Sequence, residues 1–537
     1  MKNSGLAKSA FVVILPWSSF WRDANNYLKG RNMSAQDVIL KELLEASHLQ
    51  GVEALLGWDQ ETYMPEGAGA ARAEQVAYIT GLMHAKLVGE PLKRALAELI
   101  DLETGELLTM TLNERETRQL KEIWLDYRQN AALPAEFVTT LAKHASVSQQ
   151  AWTRARKDND FSFYEPFLTK MVQMQREKAQ YLSQGSTDYD ALMNQFEPKM
   201  TSEKVSSLFK DLRTRLVPLI QNIQEVKHRV NGSVLGKEYD IDQQWSFGMD
   251  MLKAIGFDMN IGRQDRSAHP FTTSTHPTDV RTTTRLRGND LKAALLGTMH
   301  EGGHALYEQG LLLEEYGNPL GQAISLGIHE SQSRLWENLV GLSPSFWRFA
   351  YPKLQTKFKD QLRDTTREQF YAAINRVRPS MIRVEADEAT YNLHIMLRFE
   401  IEKMLINEDF PVAELPGLWN EKMEKYLGIC PRNDAEGVLQ DVHWSFGAFG
   451  YFPTYTLGNL YSVQFFNQAK QELPGLEDQF GRGEFSNLLT WLRENIHQKG
   501  RLYKAEELVK NLTGQELSAK PFMDYLETKY RKIYKLS

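Results

Sequence analysis

From Ala35 onward the apolar positions of this chain recur at three- and four-residue intervals. In "SAQDVILKELLEASHLQGVEALLGW" they fall at Val38, Leu40, Leu43, Leu44, Leu49 and Val52, which predicts a helix, with Ser34 as its N-cap. The stretch from Leu112 to Leu182 reads as three more helices, with Pro134 and Pro166 where first-turn prolines belong. A further helix follows Thr201, with an imperfect capping box begun by Ser202. The periodicity breaks between about 231 and 287. There "HPFTTSTHPTDVRTTTRLRG", rich in threonine and punctuated by Pro270 and Pro277, predicts short strands and turns. After Leu291 the helical pattern returns, except at "GYFPTYTLGNLYS", Gly450 to Ser462, which reads as an irregular aromatic stretch. No internal repeat or low-complexity linker divides the chain. The pattern predicts one mostly α-helical domain over 33–537 with a small antiparallel β-sheet.

The segment 1–32 stands apart. Its apolar run "AFVVILPW" is far shorter than the roughly 20 residues that cross a bilayer. Lys2 and Lys8 precede it in the manner of a signal peptide, but no small-residue cleavage site follows. It is read as a poorly ordered extension, or as the product of an upstream start codon, outside a globular part that begins near Met33.

Composition narrows the classes of function. Of 537 residues, 42% are apolar and 25% charged, ordinary values for a globular protein. The net charge of −6 provides no basic field, so neither nucleic acid nor an anionic membrane is expected as a partner. A single cysteine, Cys430, excludes an intramolecular disulfide and a cysteine-based metal site. A reducing, cytoplasmic setting is the simplest expectation.

One helical segment carries chemistry. "MHEGGHALYEQG" contains His300-Glu301-Gly302-Gly303-His304, the H-E-x-x-H pattern. Residues four apart share a helix face, so both imidazoles can reach one divalent ion. Glu301 is placed to reach a water at that ion. The flanking "ALLGTM" and "ALY" make this a buried helix, where polar groups need partners. The two adjacent glycines are anomalous, each costing about 1 kcal/mol relative to alanine. They imply close approach by a partner backbone or the substrate.

A catalytic zinc takes three protein ligands and keeps an open position. Glu308 cannot be the third, because it stands about 12 Å along the helix axis from His300. Tyr307 and Gly310 also exclude the metzincin pattern. The next helical segment, "GIHESQSRLWENLVG", offers Glu330, Glu337 and His329, and the intervening loop offers Glu314 and Glu315. Spacing favours Glu330 and leaves the others open.

These residues belong to an ordered set. "WDQETYMP" at Trp58 to Pro65, "HPF" at 269–271, "DVRTT" at 279–283 and "HEGGH" at 300–304 are followed by "HESQ" at 329–332. "IRVEAD" at 382–387 and "GVLQDVHW" at 437–444 complete it. In this set the chain resembles the M32 metallocarboxypeptidases of the carboxypeptidase Taq type, from about Met33 to its end. The resemblance implies His300, His304 and Glu330 as metal ligands and Glu301 as general base and acid. It implies a helical, gluzincin-like fold with a deep groove, and a homodimer. It also implies release of single residues from peptides with a free C-terminus, with broad specificity that disfavours proline. One divalent ion per chain is expected, Zn²⁺ first, with Co²⁺ also suited to the donors.

Remaining roles are assigned by chemistry. His443, in "QDVHW", is the candidate donor to the developing oxyanion, against a structural role beside Asp441. Arg383 is the first candidate for the substrate carboxylate, because its planar fork binds carboxylates in bidentate fashion. The alternative is an ion pair with Glu385 or Asp387. Arg281 is the second candidate, unless it pairs with Asp279 to shape the groove. His269 is expected in the same wall, as part of "HPF". Tyr451 and Tyr455 could donate to the tetrahedral intermediate, although packing is the stronger expectation. Asp387 or Asp441 is expected to orient a ligand histidine. No ligand role is expected for His276.

Overall fold

The computed structural model describes residues 33–109, 112–183 and 185–536. The extension assigned to 1–32 therefore lies outside the described residues. From Ala35 the chain is mostly helical, and most buried apolar side chains form one cluster reaching from Ala151 to Tyr534. A smaller cluster lies beneath the N-terminal helices, around Ile39, Leu43, Leu96, Ile123 and Trp124.

The first helix, α1, spans Ala35–Thr62, and the Ser34 side chain caps it by accepting from the Asp37 N–H, as its sequence predicts. The three helices after Asn113 are also present. Pro134 is the N-cap of its helix, one place before the first turn. Pro166, however, lies inside α2, Phe161–Leu182. There it removes an N–H that would have bonded the preceding turn. The flanking packing of Tyr164, Leu168 and Met171 holds the helix through this gap. The cap of α3, Ser202–Glu225, is Thr201 rather than Ser202.

Two helices occupy stretches that the pattern leaves irregular. One is α4, Ile241–Ile255, whose Phe247, Met251, Leu252 and Ile255 are buried on one face. It lies within the break assigned to strands and turns. The sheet follows it as β1, Gly262–Arg266, β2, Thr272–His276, and β3, Asp279–Thr284. Its order is β1-β3-β2. The sheet is mixed rather than antiparallel: β2 pairs antiparallel with β3, but β1 lies parallel to it. The chain reverses from β1 into β2 and again from β2 into β3, so β1 and β3 run in one direction and can pair as neighbours.

After the sheet come α5, Leu291–Glu308, and α6, Leu326–Arg334. The latter continues through π-helical turns over Leu335–Gly341. Helix α7 spans Tyr391–Asn407, and α8 spans Pro453–Glu472. Helix α8 takes in most of the stretch assigned to irregular structure. Its aromatic and threonine residues have weak helix propensity, but nearly every one is buried, so tertiary packing decides. Helix α6 packs against both α5 and α8, and brings Glu330 to the histidines of α5.

Candidate functional site

Helix α5 starts at the Asp290 cap, whose carboxylate accepts from the Ala293 N–H. Three turns later it presents His300 and His304, ring centroids 4.9 Å apart. Helix α6 starts at the Ser325 cap and presents Glu330 against them. Glu330 Oε2 lies 3.6 Å from His300 Nε2 and 3.3 Å from His304 Nε2. The three donor atoms lie within 4.8 Å of one another. A tetrahedral site with metal–ligand bonds of about 2.0–2.1 Å has edges of about 3.3 Å. The observed spacings therefore fit a small divalent cation, and two nitrogens with one oxygen are a donor set suited to zinc.

The far sides of these groups are engaged. His300 Nδ1 lies 2.9 Å from Glu337 Oε2. His304 Nδ1 lies 2.6 Å from His329 Nδ1, and His329 Nε2 lies 2.8 Å from Glu308 Oε1. Arg334 donates to Glu330 Oε1 at 2.6 Å and to Glu337 Oε2 at 3.1 Å. Each histidine thus keeps its Nε2 for an ion, while Glu330 Oε2 also accepts from the Ser333 hydroxyl at 2.9 Å and has a second lone pair to offer. Glu337 and His329, weighed as third ligands from spacing, instead stand behind the histidines. Glu315 is drawn away to Arg115, and Glu314 shares its short turn. Asp387 and Asp441 do not orient these imidazoles. Asp387 accepts from Arg378, Ala389 and Thr390, and Asp441 from Arg383 and Arg398. The position of Glu337 was readable: it follows Glu330 by two helical turns and Arg334 by one, on the same face.

Charges follow from this packing. Burial alone would raise the Glu330 carboxyl, but Arg334 and the two histidines hold it well below the usual carboxylate range. Glu301 is different. Burial raises it, and His300 and Thr272 only partly offset that effect. Thr272 Oγ1 donates to Glu301 Oε2 at 2.7 Å, fixing the carboxylate from the start of β2. A raised carboxyl beside the donor cluster is suited to taking and returning a proton. Thr272 went unassigned in the sequence, although it directly follows "HPF".

A second charged cluster lies around Asp441. Arg383 donates to it through Nε at 3.0 Å and Nη2 at 2.8 Å, and to Tyr391 through Nη1 at 3.0 Å. Arg398 donates to its other oxygen at 2.7 Å. Arg383 therefore pairs with Asp441, and neither Glu385 nor Asp387 is its partner. Two guanidinium groups around one carboxylate leave a net positive charge. His443 Nδ1 is 4.0 Å from Asp441, and its Nε2 is 3.4 Å from the Tyr455 hydroxyl. Burial, reinforced by Arg383, pushes this imidazole down to about 3. It is neutral at ordinary pH and carries one N–H. Tyr455 lies on α8 rather than in a loop, and its ring centroid is 5.3 Å from that of Tyr451.

Arg281 forms a bidentate pair with Asp279, at 2.8 Å for both contacts, and its guanidinium lies 4.4 Å from the Trp58 ring centroid. Arg263 approaches the same ring at 5.1 Å. "WDQETYMP" and "DVRTT" thus meet in one stack between α1 and the sheet. His269 sits exposed on the connection from β1 to β2.

A family model described as carboxypeptidase Taq (M32) metallopeptidase matches residues 39–530. Thermostable carboxypeptidase 1 of Thermus thermophilus is 41% identical over 514 residues, covering 93% of this chain and 99% of that protein. The crystal structure of M32 carboxypeptidase from Deinococcus radiodurans superposes with a TM-score of 0.89 at 38% identity, covering 94% of this chain and all of the other. Metallocarboxypeptidase 1 of Trypanosoma cruzi gives a TM-score of 0.87 at 32% identity, covering 93% and 99%.

Proposed function

The chain belongs to the carboxypeptidase Taq (M32) family of metallopeptidases, and from that premise we propose that it releases single residues from the free C-termini of peptides at the His300–His304–Glu330 centre. One observation carries the reading: two Nε2 atoms and one carboxylate oxygen converge at ion-binding distances beside a buried carboxyl of raised pKa.

In this reading His300, His304 and Glu330 hold one divalent ion per chain, Zn²⁺ in the first instance and Co²⁺ as a substitute. When bound, the ion supplies Lewis acidity toward water and the scissile carbonyl. Glu301, steadied by Thr272, takes the proton of the attacking water and delivers it to the leaving amine. His443, neutral and carrying one N–H, is the proposed donor to the oxyanion, with Tyr455 beside it. Arg383 supplies positive charge for the substrate carboxylate. Two of its nitrogens already serve Asp441, so the charge on offer is the net excess of Arg383 and Arg398 over Asp441. Arg281, stacked on Trp58, and His269 are assigned to the wall of the groove. Broad specificity that disfavours proline, a homodimer and a cytoplasmic setting complete the proposal. Among the described residues no helix is long and apolar enough to cross a membrane.

Metal analysis of the purified chain, combined with mass spectrometry of peptide products over time, tests the assignment. A ladder losing one C-terminal residue per step is expected, with one ion per chain. Equal hydrolysis of the C-terminally amidated peptide would overturn the carboxypeptidase reading.

A further inference from the structure

The two imidazoles of the centre are backed unequally. His300 meets a carboxylate directly, through Glu337 at 2.9 Å. His304 meets another imidazole, His329, at 2.6 Å between Nδ1 atoms. Two ring nitrogens at this distance share one proton, so one donates and the other accepts. If His304 Nε2 is to offer a lone pair to an ion, its proton sits on Nδ1. His329 Nδ1 must then be the acceptor, and the His329 proton sits on Nε2. That nitrogen lies 2.8 Å from Glu308 Oε1, an acceptor that completes the chain.

We infer that Glu308 is a positioning residue, fixing the tautomer and orientation of His304 through His329 as a carboxylate–imidazole–imidazole relay. The inference rests on the metal-centre reading above. It also explains why His329 is not a ligand: its Nδ1 lone pair is committed to His304, and its other nitrogen faces away. Helix α5 thereby contributes to its own centre twice. His304 points inward, and Glu308, one turn later, reaches back through a residue of α6.

The test is a double-mutant cycle on Zn²⁺ affinity, read by competition with a chromophoric chelator on the full chain. Glu308→Gln weakens the acceptor and is expected to lower affinity by about 10–100-fold. His329→Gln places a carbonyl oxygen where it can accept from His304 directly. In that background Glu308→Gln is expected to change affinity less than about threefold, since the relay is already gone. Urea midpoints of the metal-free proteins separate this effect from unfolding, and Glu308→Asp replaces Glu308→Gln if the latter does not fold. Additive losses, or a Glu308 variant of unchanged affinity, would overturn the relay. A wild-type chain that binds no zinc would instead overturn the metal-centre reading itself.

Discussion

Gly303 faces the main chain of Gln332: a Cβ at this glycine would lie 2.6 Å from the Gln332 carbonyl oxygen. It would lie equally close to the Ser333 Cα. Gly302 meets only side-chain ends, Leu252 Cδ2 at 2.7 Å and Ile255 Cδ1 at 3.1 Å. The glycine pair of "HEGGH" is therefore asymmetric. Gly303 lets α5 lie against the backbone of α6, which brings Glu330 to the two histidines. The close partner is a neighbouring helix, as one of the two sequence-based explanations requires.

Gly303→Ala should consequently reverse the helix-propensity gain of about 1 kcal/mol. We expect destabilisation of about 1–3 kcal/mol by overpacking, together with weaker metal binding as α6 is pushed back. Gly302→Ala should be milder, because terminal methyl groups can rotate away. Urea unfolding and chelator competition on both variants check the contrast. Equal effects at the two positions would refute it.

Gly458 plays the same part from the opposite side. A Cβ there would lie 2.6 Å from Glu330 Cγ. Gly458→Ala should displace Glu330 and lower Zn²⁺ affinity more than it lowers the urea midpoint of the metal-free protein. Unchanged affinity would mean that Glu330 is not held from α8.

Much of this was legible in the sequence. Ser34 caps its helix where expected, and the H-E-x-x-H spacing puts His300 and His304 on one face of a helix with Glu301 beside them. Those are local relationships, set by periodicity and capping. Spacing favoured Glu330 but could not exclude Glu337 or His329, because all three face α5 and only packing decides which is nearest. The stretch 450–462, which holds Gly458, reads as irregular for a related reason. Its surroundings, aromatic and rich in threonine, signal strand or loop, and the helix exists because tertiary contacts bury it. The partnership of Arg383 with Asp441 spans 58 positions, beyond any local pattern.

Glu301→Gln keeps the volume of the side chain and removes its ability to take a proton. The variant should bind metal at full stoichiometry. Its turnover should fall by about 10²–10⁴-fold, the usual contribution of a general acid–base group. Peptide assays beside metal analysis separate the two effects. Surviving turnover would remove Glu301 from its assigned role.

Asp441 is nearly buried between two arginines, one of them, Arg398, wholly so. Asp441→Asn leaves two buried cations facing each other. We expect a loss of about 3–5 kcal/mol, as when one partner of a buried pair is removed. Adding Arg398→Met should restore part of it by removing one of the opposed charges. Urea midpoints of the single and double variants test this, and a harmless Asp441→Asn would show that the cluster is far better hydrated than its burial implies.

Glu197 anchors the first turn of α6. It accepts from the Gly327 N–H at 2.9 Å and from the Tyr461 hydroxyl at 2.9 Å, and is fully buried. Burial outweighs these bonds and pushes its carboxyl up to about 7, from an ordinary 4.5. Between those values the folded chain holds a proton that the unfolded chain has released. Stability from this group is therefore complete below pH 4.5 and is lost as the pH rises through 7. Glu197→Gln carries no such proton. Its stability relative to the wild type should rise between pH 5 and pH 8, by on the order of 2 kcal/mol. The difference between the two proteins isolates this group from Glu402, which burial also pushes up to about 7 and which the variant leaves intact. Urea unfolding of both proteins at the two pH values measures it. A difference that stays constant would mean that Glu197 is charged in the folded state throughout, held by its donors despite its burial.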